Sequence, residues 1–243
     1  VCIVIPTYME KENLQRLIPT IQGVLRSHGL VELATILIVD DNSPDDTGQL
    51  AEEMAKGYGN IRVLHRPAKM GLGSAYKDGF TYALQELNSD AVFQMDADLS
   101  HDPKHLPEFL SKLREGYHVV VGSRKIPGGQ AVNWSLQRRL TSSIANQLAK
   151  HLCGVKIRDA TSGYRAFTRG ALQGAEYPAI KATGYAFQVE MLFKCQRKGL
   201  KIAEIPIVFM DRRMEKTKLS RGETLNFLST CLRLLLHRIG ASV

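Results

Sequence analysis

No run of about 18 apolar residues occurs in this chain, so none of it is expected to span a bilayer. No signal-peptide pattern stands at its start, and because Val1 already lies within an apolar run, we expect residues to precede it. The four cysteines, Cys2, Cys153, Cys195 and Cys231, are far apart and form no metal or redox spacing. They read as ordinary thiols of a reducing compartment. Aromatic residues reach only 7%, and no zinc or RNA-binding signature is present, so nucleic acid has no reading element here. Repeats, low-complexity tracts and clear linkers are also missing. Acid is in deficit, with 24 Asp and Glu against 32 Lys and Arg and a formal charge of +8. That balance suits an anionic partner, and with nucleic acid set aside a phosphorylated small molecule or an acidic membrane face is left.

What is present is an alternation of apolar runs and helical patterns over 243 residues, enough for one or two domains. Val1 to Ile5 closes at Pro6, and Leu14, Leu17, Ile18, Ile21 and Leu25 then recur at helical spacing. Thr35 to Val39 is a second strand, ending in the acid-rich turn Asp40 to Asp46 before another helix. Ile61 to Leu64, Ala91 to Met95 and Tyr117 to Val121 read as further strands, with helices opening near Gly71-Leu72-Gly73 and at Pro103. The small residues near Gly71 would let backbone approach a ligand, a weak phosphate-loop match. This rhythm predicts an α/β fold: a doubly wound, mainly parallel sheet flanked by helices, its ligands beyond the carboxyl ends of the strands. Tyr8, Glu10, Asp41, Asp96, Asp98 and Arg124 all fall at such ends.

Beyond Arg124 the pattern loosens. Gly128-Gly129 marks a loop, Trp134 to Leu152 a basic amphipathic helix with Arg138, Arg139 and Lys150, and Asp159 to Arg165 a polar turn. Gln188 to Met191 begins another helix, and Ile202 to Phe209 is strand-like, with Pro206 predicting an edge position or a break. Arg212, Arg213, Lys216, Lys218 and Arg221 then crowd one loop, either a phosphate site or a solvated run. The last helix, Glu223 to Ile239, carries Leu225, Leu228, Leu232, Leu235 and Ile239 on one stripe. Core packing and a membrane interface both fit that stripe.

The sharpest local signal is Met95-Asp96-Ala97-Asp98-Leu99-Ser100-His101-Asp102-Pro103, just past an apolar run. Two carboxylates two residues apart can grip one hard cation, and Mg2+ binds through one or two carboxylates plus substrate phosphates. The other reading is a cap, since Asp102-Pro103 is a good helix start. Spacing alone leaves both open.

In order along nearly the whole chain, further motifs join this one: Pro6-Thr7-Tyr8-Met9-Glu10, Val39-Asp40-Asp41-Asn42-Ser43-Pro44-Asp45, Gly71-Leu72-Gly73, Gly122-Ser123-Arg124, Thr161-Ser162-Gly163-Tyr164-Arg165, and Pro206 to Arg212 with Lys218-Leu219. The ordered set resembles family-2 glycosyltransferases of the GT-A fold and, within them, polyprenol (dolichyl) monophosphate mannose synthases. The resemblance implies a single GT-A domain over 1–243, with 1–124 as the nucleotide-sugar half and 125–243 as the acceptor half. It implies that Pro6, Tyr8, Glu10, Val39 and Asp41 hold the base and ribose of GDP-mannose, and that Asp96, Ala97 and Asp98 hold a Mg2+ or Mn2+ ion and the diphosphate. Ser100 stands where some relatives place Gln as a further metal ligand. Arg124, Arg212 and Lys218 would take donor phosphates, with Arg124, Arg138, Arg139 and Arg212 on the acceptor phosphate. Met9 stands where Asn is usual.

On that resemblance, an oxygen of a polyprenyl phosphate attacks the anomeric carbon, GDP leaves and the configuration inverts. Asp98, Arg124, Arg212 and Lys218 would serve the reaction. A phosphate monoester is mostly ionised at neutral pH, so no general base is needed. Many relatives carry C-terminal membrane helices; here the last helix or an anchoring partner subunit is expected to reach the membrane, peripherally and on its cytosolic face. That face would be endoplasmic reticulum in a eukaryote and plasma membrane in a prokaryote. The rival readings are a family-2 transferase using UDP-glucose or a hydroxyl acceptor, and a silent nucleotide-binding or scaffold protein.

Overall fold

The structure is a computed structural model that describes residues 1–210 and 221–240. Seven strands form the main sheet: β1 (Cys2–Thr7), β2 (Thr35–Asp40), β3 (Ile61–His65), β4 (Ala91–Gln94), β5 (Val119–Ser123), β7 (Arg165–Thr168) and β8 (Ile202–Pro206). Their order is β3-β2-β1-β4-β7-β5-β8. All pairings are parallel except those of β7, which runs antiparallel between β4 and β5. The sequence reading has no strand at β7, because a four-residue segment opening on a charged Arg165 shows no period. A small parallel pair, β6 (Gln130–Val132) with β9 (Val208–Met210), lies beside the sheet. Pro206 fulfils both halves of its expectation: it ends edge strand β8, and the chain then leaves the sheet as β9.

Alternate residues of each strand feed two cores, because a strand's side chains point to opposite faces in turn. Ile3, Ile5, Ile36 and Ile38 pack under α1 (Lys11–Ser27), α2 (Thr47–Tyr58) and α4 (Leu106–Arg114). Cys2, Val4, Leu37 and Val39 face α3 (Leu72–Gln85), α5 (Leu136–His151), α6 (Arg169–Gly174), α7 (Gly184–Arg197) and α8 (Arg221–Arg238). Helix α3 lies close on β1 because Gly79 has no side chain; a Cβ there would run into Val4 and stand 3.2 Å from Val39. Gly73 lies beside the Phe187 ring, which is 3.4 Å from where its Cβ would be, an ordinary contact.

The stripe on α8 turns out not to be core. Leu225, Leu228 and Leu232 are exposed, as is Ile239, while Phe227, Thr230, Cys231 and Leu234 make the buried face. Helix α5 does the same with Leu136, Leu140 and Ile144. Cys153 and Cys231, distant in sequence, meet where these helices touch, the Cys153 sulfur 3.9 Å from the Cys231 carbonyl. All four cysteines are free thiols and buried. Among the described residues no helix is long and apolar enough to cross a membrane.

Candidate active site

Strand order reverses between β1 and β4, whose neighbours β2 and β7 lead away on either side. At such a switch point the loops leaving the carboxyl ends diverge and open a crevice. The loops after β1, β2 and β4 line it. The first two are stitched together: the Met9 amide donates to Ser43 Oγ at 3.0 Å, that of Glu10 to Thr47 Oγ1 at 3.1 Å, and that of Lys11 to Asp45 at 3.4 Å. Asp40 is buried and accepts from the Ser43 and Thr7 hydroxyls, so it braces the turn. Asp41 is buried against Arg66, which also bridges to Asp78 at 2.9 Å. Tyr8 lies under the Lys69 ammonium, 3.9 Å from its ring centre. Glu10 accepts from Asn13 at 2.5 Å. Pro6 and Val39 are register partners in β1 and β2, and both are buried. The Val39 side chain packs toward α3.

Past β4, Asp96 is held from two directions. The buried Tyr76 hydroxyl donates to Asp96 Oδ1 at 2.7 Å, and the Asp96 backbone N–H donates to His101 Nδ1 at 3.0 Å. Burial first, and then the charges of Asp96 and Asp98, push the Tyr76 hydroxyl well above its ordinary value, so it stays a donor. Ser100 turns back to Asp98, its hydroxyl 2.5 Å and its amide 3.0 Å from Asp98 Oδ1. Ala97 is buried between them. Asp102 caps the next turn through the Lys104 amide at 3.0 Å, as expected of Asp102-Pro103. Among the described residues no three His, Cys, Asp or Glu converge as a metal cage. Two carboxylates suit Mg2+ or Mn2+, which complete their shells with water and phosphate oxygens and need no protein cage.

Across the crevice Arg124 leaves the end of β5. Its Nε and Nη2 donate to Asp159 at 2.7 Å each, its backbone N–H at 2.9 Å, and Nη2 also reaches Thr161 at 3.1 Å. Burial pushes the Asp159 carboxyl up, but the charge and hydrogen bonds of Arg124 outweigh it and hold Asp159 below the usual carboxylate range. The guanidinium of Arg124 stacks 4.9 Å from the Trp134 ring, and that of Arg138 lies 4.7 Å from the same ring. Arg139 is exposed and lines with Arg124, Lys125 and Gln130 a cleft of about 390 Å³. A second, apolar groove of about 280 Å³ runs from Arg124 and Arg138 between α5 and α8, past Ile144, Leu148, Phe227 and Leu228. Arg212 and Lys218 lie outside the described residues.

One turn joins the two sides. Asp159 at its start holds Arg124, while Gly163 near its end lies against Asp96. Arg165 closes it: fully buried, it donates to the carbonyls of Ala160, Ser162 and Gln188 at 2.7–2.8 Å. Burial lowers Arg165 to about 9, which keeps it charged at neutral pH. Sequence reasoning missed Arg66, Tyr76, Trp134 and Asp159 as site residues. The turn's polarity hinted at Asp159, whereas Tyr76 and Arg66 gave no sign before α3 is laid on β1 and β4.

A mainly parallel sheet with its crevice at β1/β4 and two carboxylates on the loop after β4 is the architecture of glycosyltransferases of the GT-A fold. The model of "Glycosyl transferase family 2" matches residues 2–174, and the chain belongs to that family. It is 40% identical over 91% of its length to an undecaprenyl-phosphate mannosyltransferase of Micrococcus luteus, covering 88% of that protein. It is likewise 40% identical over 90% of its length to a polyprenol monophosphomannose synthase of Mycolicibacterium smegmatis, covering 80%. Its fold matches the Mycobacterium tuberculosis glucosyl-3-phosphoglycerate synthase solved with Mn2+ and UDP-glucose, at a TM-score of 0.68 and 22% identity over 100% of this chain and 80% of that one.

Proposed function

We propose that this chain transfers mannose from GDP-mannose to a polyprenyl phosphate, with inversion, aided by Mg2+ or Mn2+. The names of the two relatives that are 40% identical support the acceptor and the sugar. The observation that carries the reading is the single turn from Asp159 to Arg165, which holds Arg124 through Asp159 and lies against Asp96 at Gly163. A divalent ion on Asp96 and Asp98 would offset the charge of the leaving diphosphate. The protein's own part is to position two anions and counter their repulsion. Tyr76 fixes Asp96, Ser100 fixes Asp98, and Asp159 with Trp134 fixes Arg124 where an acceptor phosphate would meet it. Planar arginine forks suit phosphate oxygens, and Arg138, Arg139 and Arg212 are assigned beside Arg124, with Lys218. Tyr8, Glu10 and Asp41, with the backbone at Pro6 and Val39, are assigned to the nucleoside. An ionised phosphate monoester needs no protein base.

The apolar groove leading from Arg124 suits a prenyl chain, and the exposed leucines of α5 and α8 suit shallow insertion in a membrane face. We propose on these grounds a peripheral place on a membrane face, and on the family resemblance the cytosolic one. The test is radiolabel transfer from GDP-mannose, GDP-glucose and UDP-glucose to a short polyprenyl phosphate, with and without chelator. Transfer from GDP-mannose alone, lost with chelator and in Asp98→Ala, is expected; transfer from UDP-glucose, or near wild-type turnover of Asp98→Ala in saturating Mg2+, refutes the reading.

A further inference from the structure

Two cavities meet at Arg124 and Trp134, which line both of them. One is the apolar groove between α5 and α8, which also takes in Arg138. The other, of about 390 Å³, is polar: among the described residues Arg124, Lys125 and Arg139 line it as cations, and no acid does. The turn after β5 shapes its wall. The Lys125 N–H donates to Ser123 Oγ at 3.3 Å, the Gly129 N–H to the Ile126 carbonyl at 2.9 Å, and the Gln130 N–H to the Ile207 carbonyl at 2.9 Å. A Cβ at Gly129 would run into the Ser123 carbonyl, so only glycine lets this turn fold back on the end of β5. Lys125 therefore stands on a turn held from both ends.

The three cations are not alike. Arg124 is matched by Asp159, and the Trp134 ring covers its guanidinium. Lys125 is half-buried, and among the described residues its ammonium has neither a carboxylate nor a hydrogen-bond acceptor. Arg139 is exposed, and among the described residues its side chain meets no acid either. Burial pushes Lys125 below its ordinary value; the charge of Asp159 opposes this and that of Arg124 adds to it. Like charges around one cleft repel, with the single acid Asp159 already committed to Arg124. A second cation would worsen that, and a neutral hydroxyl would leave it unchanged. A phosphate group would relieve it, since it brings about two negative charges at neutral pH and several acceptor oxygens to one ammonium and two guanidinium forks.

We propose that Lys125 is a phosphate ligand, and that with Arg124 and Arg139 it seats one phosphate group in this cleft. The group is either that of the lipid acceptor, whose chain would lie in the adjoining groove, or one of the leaving diphosphate. Its source rests on the glycosyl-transfer reading; the seat itself does not. Lys125→Gln removes the charge and keeps the length, and Lys125→Arg keeps the charge. Both are expected to unfold like the wild type, since no partner is lost. Binding is measured by titration calorimetry with geranyl phosphate, with geraniol, and with GDP in the presence of Mn2+. If the acceptor supplies the phosphate, Lys125→Gln binds geranyl phosphate about tenfold more weakly or worse, because a charge-assisted bond is gone, and GDP binds as before. If the donor supplies it, the same loss falls on GDP and geranyl phosphate is unaffected; a loss on both assigns the seat to each in turn. In every supporting case geraniol binds all three proteins alike and Lys125→Arg recovers most of the loss. Unchanged affinity of Lys125→Gln for both phosphates, an equal loss for geraniol, or a wild type that binds neither phosphate overturns the proposal. Radiolabel transfer by the wild type is run beside these titrations: if nothing moves from GDP-mannose the mannosyl reading fails by itself, and the seat is still decided by binding.

Discussion

Replacing Asp159 by Asn removes the charge that holds Arg124 while keeping shape and one acceptor. The pair is buried on both sides, with 6% of the Arg124 side chain and none of the Asp159 side chain exposed. Three N–H bonds at 2.7–2.9 Å converge on the carboxylate. Removing one partner of such a pair leaves a buried charge uncompensated and costs about 3–5 kcal/mol. At about 2–4 °C per kcal/mol for a chain of this size, the unfolding midpoint should drop by on the order of 10 °C at pH 7. The pH dependence has a definite sign. Asp159 is held below its ordinary value in the folded state, so its contribution is complete above the unfolded carboxylate value of about 3.9 and is lost as pH falls through the lower folded value. The gap between wild type and Asp159→Asn should therefore close in acid. A double variant with Arg124→Met, measured by urea unfolding, should recover part of the loss, because no charge is then stranded. A drop under about 1 kcal/mol with no recovery in the double variant would refute the claim that this ion pair anchors the loop after β5.

Two further outcomes follow from the same geometry. Tyr76→Phe deletes the 2.7 Å bond to Asp96 without changing the buried ring, and should weaken Mn2+ binding about tenfold with little change in fold; equal affinity in both proteins would dismiss Tyr76 as the brace of Asp96. Leu140→Ser with Leu232→Ser alters two exposed side chains, so the unfolding midpoint should stay put while binding to anionic vesicles falls about tenfold or more, at roughly 1 kcal/mol for each partly inserted leucine; unchanged vesicle binding in a co-sedimentation assay would remove α5 and α8 from the membrane contact.

Much of the crevice edge after β1, β2 and β4 was legible before any coordinates. Strands β1, β2 and β4 are short apolar runs, and the residues that leave them, Tyr8, Glu10, Asp41, Asp96 and Asp98, follow directly in sequence, so strand periodicity alone delivers them to one edge. The braces of that edge were not legible. Tyr76 and Arg66 sit on or before a helix whose distance from β1 is set by Gly79, and a hydrogen bond to Asp96 exists only once that helix has docked.

By itself the sequence determined the class of fold and which polar residues follow the strand ends, because strand and helix periods and the motifs that follow them are read along the chain. Only the tertiary structure decided which leucines of the last helix face water, that Arg124 is held by Asp159, and that one turn spans both halves of the crevice. An amphipathic stripe has the same period whether it meets a core or solvent, and a buried ion pair thirty-five residues apart in sequence has no period at all.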